Sequence, residues 1–152
     1  MPEEFIYKYL SDDDLKAISE KIAEIEKKTS AELVITIKEK RNWQEKFKSV
    51  RQLAEKEFIS AKIGKTKGAT GILIFMIFNA KEFCILADDK INQKVKQSFW
   101  DEIADDMTKH FKKEEFCNGI IKGIEQTGTI LNQHFPIQPG DVNELSNEVR
   151  IK

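Results

Sequence analysis

The sequence predicts one α/β domain whose sheet is covered by helices on both faces. Three observations carry that expectation. The run Ile72-Leu73-Ile74-Phe75-Met76-Ile77-Phe78 has no polar alternation, so both faces of that strand must be buried, as in a central strand. A β-branched run, Leu33-Val34-Ile35-Thr36-Ile37, precedes it, with a helix-patterned segment between, so the two strands are expected to be parallel and joined by a right-handed crossover. A length of 152 residues suits a single core.

Each element has its own signal. Residues 1–10 carry Phe5, Ile6, Tyr7, Tyr9 and Leu10 without a period, and read as an arm that packs on the domain. Ser11 opens a helix, with Asp14 placed to complete a capping box and Asp12, Asp13 and Asp14 suited to the positive helix end. Leu15, Ile18, Ile22 and Ile25 form its apolar face, and Lys27 and Lys28 close its last turn. Residues 29–31 are a link, Glu32 leads into the first strand, and 38–42 form a polar turn. Residues 43–61 read as a second helix with Phe47, Val50, Ala54, Phe58 and Ala61 on one stripe, stopped by Gly64.

After the basic, small-residue loop 65–70 and the central strand, the turn 79–81 is so short that residues 82–87 must return antiparallel. Ile91, Val95, Phe99, Ile103, Met107 and Phe111 recur every fourth residue. That spacing drifts around a straight helix and predicts two helical pieces or a break near Ser98. Residues 112–115 separate these from a last helix, 116–134, with the stripe Ile120, Ile124, Leu131 and Phe135. Gly119, Gly123 and Gly128 within it each weaken the helix, which suggests close contact with a neighbouring backbone. Pro136 and Pro139 end it, and the polar segment from Gly140 to Lys152 is expected to be mobile. The domain boundaries are therefore an arm at 1–10, the α/β domain at 11–136 and a polar tail at 137–152.

The charges nearly cancel, 25 basic against 26 acidic for a net −1, so no clustered positive face is expected to recruit nucleic acid. The apolar run at 72–78 is far shorter than the about 20 residues that cross a bilayer, and the N-terminus lacks a leader pattern. A monomeric, cytoplasmic protein without membrane insertion is expected. Cys84 and Cys117 lie in apolar patterns and read as small buried hydrophobes, not a disulfide framework.

Strand direction locates the candidate site. The antiparallel third strand ends at the edge where the two parallel strands begin, which gathers Glu32, the 65–70 loop, Asp88 and Asp89. Carboxylates beside loop carbonyls and hydroxyls, here with Thr66, Gly68 and Thr70 near the site, suit a hard cation such as Ca²⁺ or Mg²⁺. Asp101 is a further candidate ligand if its helix points back to this corner. The plainer readings stand beside these: Asp88 or Asp89 serves equally as a cap for the helix starting near Lys90, and Glu32 as a solvated charge. The opposite edge, where ligands of open α/β sheets usually bind, holds only Lys38, Glu39 and Asn79.

Familiar catalytic patterns fail. Gly64-Lys65-Thr66 resembles the end of a phosphate-binding loop, but the first glycine would fall at Ile59 and the loop runs from helix to strand. His110 and His134 have no Cys or His at zinc-ligand spacing and read as surface helix positions. There is no G-x-S-x-G elbow, and neither cysteine is followed by a suitably spaced arginine. Asp101-Glu102 and Asp105-Asp106 otherwise read as solvated helix faces.

Several fragments in order resemble the TPM domain, or TPM phosphatase, family, in the manner of its short soluble bacterial members. They are Thr29-Ser30-Ala31-Glu32, Ile63-Gly64-Lys65-Thr66 followed by Gly71-Ile72-Leu73-Ile74, the run from Phe83 to Asp88 with Ile91-Asn92, Val95 and Trp100, then Phe111, Phe116, Gly119, Gly123-Ile124, Gly128, Phe135-Pro136 and the tail Asp141-Val142-Asn143-Glu144-Leu145. The resemblance implies a three-layer α/β/α sandwich around a small mixed sheet of about four strands. It implies a divalent-cation site in which Asp88 and Glu32 are the matched acids and Asp89 a replaceable neighbour. It also implies weak metal-dependent phosphatase activity or, alternatively, a non-enzymatic accessory module with a structural metal, docking a protein partner in a membrane-associated or repair complex. Two departures bear on this. Ala87 and Lys90 stand where many members have glycines, and Lys81 stands where an arginine is frequent, which removes a bidentate anion partner.

Overall fold

The computed structural model describes residues 2–63, 70–137 and 149–152. Two parallel strands form its centre. Strand β1 (Glu32–Lys38) pairs with β2 (Gly71–Ile77) from Glu32↔Gly71 to Lys38↔Ile77. Strand β3 (Glu82–Ala87) returns antiparallel on β2, and β4 (Arg150–Ile151) adds to the other side of β1 in parallel, giving the order β3-β2-β1-β4. Every residue of β2 is buried, as its unbroken apolar run predicts.

Side chains alternate to opposite faces of the sheet. Leu33, Ile35, Ile37, Ile72, Ile74 and Met76 enter a core shared with α1 (Asp12–Glu26), α4 (Gln97–Lys112) and α5 (Phe116–His134). Val34, Leu73, Phe75, Ile77, Cys84 and Leu86 enter a second core against α2 (Val50–Ser60). The result is the expected α/β/α sandwich with a four-stranded mixed sheet. The N-terminal arm packs as predicted: a 3-10 helix, Pro2–Lys8, buries Phe5 and Ile6 in the larger core, and Phe5 and Tyr9 meet Phe78 edge-on. The first helix begins as its sequence requires, with Ser11 and Asp14 forming a capping box, but it ends at Glu26, so Lys27 caps it instead of closing its last turn.

Several expectations need correction. Residues 43–61 are not one helix. Asn42 with Glu45 and Ser49 with Gln52 form two separate capping boxes, so a 3-10 turn at Trp43–Glu45 ends before α2 starts at Val50. Phe47, assigned to the buried stripe, is 92% exposed. The αL residue that ends α2 is Lys62 (φ 59°), with the Ile63 amide bonded to the Phe58 carbonyl and that of Lys62 to Ile59; Gly64 lies outside the described residues. The chain after Lys90 does break, giving α3 (Asp89–Lys94) and α4, but at Val95-Lys96. The break resets the helical phase, so Trp100 is fully buried and Phe99 is exposed.

The glycines of α5 meet side chains, not backbone. Positions 119, 123 and 128 face His110 Cβ, Met107 Sδ and Ile25 Cδ1, each closer than an added Cβ would allow without movement. Finally, the tail is not wholly a loose appendage. Residues 138–148 lie outside the described set, but Arg150 and Ile151 pair with Thr36 and Ile37.

Glu57 holds that last strand in place. It is 6% exposed; Oε2 accepts from Thr36 Oγ1 at 2.8 Å and Arg150 Nε at 3.2 Å, and Oε1 lies 2.9 Å from Lys152 Nζ. Removing a carboxylate that serves two cations and a buried hydroxyl leaves all three groups without their partner. Glu57→Ala is therefore expected to destabilise the fold by roughly 2–4 kcal/mol. Amide exchange should accelerate first at Lys152, whose N–H bonds the Ile37 carbonyl; unchanged protection there would show that the ladder, not Glu57, holds β4.

Candidate functional site at the amino-end edge of the sheet

The strand register brings two of the predicted acids into one cross-strand row. Glu32 pairs with Gly71, and on the other side of Gly71 the Asp88 amide donates to the Gly71 carbonyl at 3.0 Å. Neighbouring strands are roughly 4.8 Å apart, so the backbones of Glu32 and Asp88 are separated by about 10 Å with no side chain between them. Both residues are buried, Glu32 at 6% and Asp88 at 9% exposure. Thr70 adjoins the row: its carbonyl accepts the Glu32 amide at 2.8 Å and its hydroxyl donates to the Ser30 carbonyl at 3.3 Å. Thr66 and Gly68 lie outside the described residues.

Asp88 also has the structural role that the sequence left open. It is the N-cap of α3, with Oδ1 accepting from the Ile91 amide at 3.0 Å, while Oδ2 accepts from the Gly71 amide. One carboxylate thus joins the start of β2 to the start of α3. Burial raises its pKa, and the amides of Ile91, Gly71 and Lys90 oppose that rise. Three amides occupy three of the carboxylate's roughly four lone-pair sites, so capping leaves one for a ligand.

The sequence pointed to Glu32 but not to its partner. Glu26, on the last turn of α1, accepts the Leu33 amide at Oε2 (2.9 Å) and forms a carboxyl pair with Glu32. Burial, and then the hydrogen bond that the Glu26 carboxyl donates to Glu32, push Glu26 up to about 9, against the lowering effect of the Leu33 amide. At neutral pH Glu26 therefore keeps its proton, facing the Glu32 carboxyl. Nothing in the helical spacing of 12–26 distinguishes Glu26 from a solvated acid; only the turn into β1 brings it back onto the strand.

Asp89 and Asp101 lie elsewhere. Asp89 is exposed and faces a cleft of about 360 Å³ beside α2, lined also by Arg51, Phe58, Leu86 and Gln97. Asp101 accepts from Gln97 Nε2 at 3.0 Å, and the same nitrogen donates to the Ile85 carbonyl, so the contacts of Asp101 lie partway along β3 and not at the Asp88 corner. Among the described residues no three His, Cys, Asp or Glu side chains are grouped to hold a metal ion. Burial pushes the thiols of Cys84 and Cys117 up to about 11 each, so neither is a thiolate nucleophile at neutral pH.

Two outcomes follow. Asp88→Ala strips the acceptor from the amides of Ile91, Gly71 and Lys90 and is expected to destabilise by roughly 2–4 kcal/mol, whereas Asp88→Asn keeps one acceptor oxygen and loses about half of that; equal denaturant midpoints for the two variants would contradict the capping role. Folding raises the Glu26 pKa, so this group's contribution to stability is fully present below 4.5 and is lost as pH rises toward about 9. Glu26→Gln should flatten the fall in stability across that window, measured as thermal midpoint against pH.

The chain's relatives agree with this architecture. The solution NMR structure of the BA42 protein from the psychrophilic bacterium Bizionia argentinensis superposes with a TM-score of 0.82 at 30% identity, covering 95% of this chain and 96% of that one. The N-terminal domain of a protein from P. gingivalis shares the fold at 13% identity, with a TM-score of 0.69 over 84% of this chain and 79% of that one. No curated protein sequence matches. The family model for the TPM domain matches residues 7–130, which include the arm's end, both central strands and the acidic edge: the chain belongs to the TPM domain family.

Proposed function

We propose that this TPM domain binds a divalent cation, Ca²⁺ or Mg²⁺, at the amino-end edge of its sheet, with Glu32 and Asp88 as ligands. The observation that supports it is the row Glu32–Gly71–Asp88: two buried acids in one cross-strand row, separated by a residue without a side chain. Hard cations take oxygen ligands at roughly 2.1–2.6 Å, so binding would turn the Glu32 carboxyl from its pairing with Glu26 toward Asp88 across Gly71. A cation would also replace the proton held by the Glu26–Glu32 pair and offset the cost of burying these acids. Thr70 supplies a further oxygen, and exposed Asp89 is an outer charge; Thr66 and Gly68, also assigned to this loop from the sequence, lie outside the described residues. Asp101 is the weakest of the ligand assignments, given its bond to Gln97.

A cation in this row can polarise a phosphoryl oxygen or activate water, which is the basis for weak metal-dependent phosphatase activity. The second reading is an accessory module with a structural cation. It is favoured by the double use of Asp88, whose oxygens already tie β2 to α3, so that a bound ion would stiffen the edge.

Titration of Ca²⁺ or Mg²⁺ is expected to move amide resonances at 30–32, 70–71 and 88–91. Glu32→Gln should weaken binding at least tenfold, and affinity should rise with pH as the Glu26 proton becomes easier to displace. Shifts scattered over the surface, or full affinity in Glu32→Gln, would remove the site. Phosphate release that disappears in Glu32→Gln would favour the enzyme; cation binding without any release favours the accessory module.

A further inference from the structure

The opposite edge of the sheet carries a different chemistry. Between β1 and α2, residues 38–48 hold five basic side chains (Lys38, Lys40, Arg41, Lys46, Lys48) against two acidic ones (Glu39, Glu45), in a chain whose net charge is −1. Trp43 and Phe47 project from this loop at 87% and 92% exposure, the highest among the exposed large hydrophobic side chains of the described residues. Exposed apolar groups of that size, ringed by charge, mark interaction sites.

The loop is built to hold them out. Glu45 is turned inward, at 7% exposure, and bonds Lys38 Nζ at 2.8 Å. The Asn42–Glu45 capping box fixes the 3-10 turn. Arg41 braces both ends, donating to the Lys48 carbonyl at 2.9 Å and to Glu82 at 2.6 Å. On a tight helical turn, the residues two before and two after the inward Glu45 face away from it, and these are Trp43 and Phe47. Lys46 lies 5.6 Å from the Phe47 ring centroid. The loop is thus a braced convex tip with two aromatic side chains and three exposed lysines, Lys40, Lys46 and Lys48.

We propose that this tip seats the protein on an anionic membrane surface, with Trp43 and Phe47 entering the headgroup region and the three lysines meeting acidic lipid headgroups. Aromatic side chains favour that interface, and each nearby Lys adds attraction to an anionic leaflet. Peripheral seating needs no spanning segment, and among the described residues no helix is long and apolar enough to cross a membrane. One apolar tip with a few lysines gives weak, reversible and salt-sensitive association. A convex tip with separate side chains offers a partner protein little flat area, whereas a fluid bilayer conforms to it.

Co-sedimentation with vesicles tests this. The full chain should pellet with phosphatidylcholine vesicles containing phosphatidylserine, not with phosphatidylcholine alone, and added salt should release it. Trp43→Ser with Phe47→Ser should abolish pelleting at an unchanged thermal midpoint, since both side chains are exposed. Lys40→Gln, Lys46→Gln and Lys48→Gln should each lower partitioning by roughly fivefold. Failure to pellet with the phosphatidylserine vesicles at low salt, or pelleting that survives the aromatic double substitution, would overturn the proposal. So would self-association of the wild type, seen by equilibrium sedimentation without lipid and lost in the double variant, because the tip would then dock a second copy.

Discussion

Burial of the β1–β2 ladder on both faces is the constraint from which the architecture follows. Two parallel strands paired from Glu32↔Gly71 to Lys38↔Ile77 cannot be joined by a tight turn, so the chain must leave the sheet and cross over. It does so with α2, which covers one face; α1, α4 and α5 cover the other. Because both strands start at the same edge and β3 ends there, the amino-end edge collects three chain crossings: 26–32, 70–71 and 87–91. Polar backbone at those crossings needs partners, and acids supply them. Asp88 takes the amides of Gly71 and Ile91, and Glu26 takes that of Leu33.

The parts legible in the sequence were those set by local chemistry. An unbroken apolar run marked β2 as central, Ser11 and Asp14 marked a helix start, and the short 79–81 turn forced β3 to reverse. What escaped were features decided by distant contacts. Phe47 fits a helical stripe as well as Phe58 does, and only the paired capping boxes at Asn42 and Ser49 show that two turns compete for that segment. Arg150 and Ile151 are too short a run to read as a strand; Glu57, far away in sequence, supplies the charge that fixes them.

The same distinction applies to the candidate site. Strand direction was enough to bring Glu32 and Asp88 to one edge. It was not enough to place Asp101, because that depends on the phase of α4, reset by the break at Val95-Lys96. Nor could it reveal Glu26, whose importance comes from burial and from the returning carboxyl of Glu32. A capping role and a ligand role for Asp88 looked like alternatives in the sequence. The geometry makes them compatible, since three amides leave one of the carboxylate's roughly four lone-pair sites open.

That compatibility changes how the edge should respond to a cation. If Asp88 only capped α3, an ion could alter the fold only by crowding the cap. If it only bound an ion, the fold would not depend on it in the ion's absence. As a cap that retains ligand capacity, it would link the two under the proposed cation site: an ion drawn to Glu32 and Asp88 would strengthen the junction of β2, β3 and α3, and whatever orders that junction would improve the ion's ligands. Such linkage is reciprocal in free energy. The Glu26–Glu32 proton enters the same balance with opposite sign, since it neutralises the charge the ion requires. On the proposed reading, protonation and cation occupancy at this edge would be competing ways of stabilising one buried set of acids.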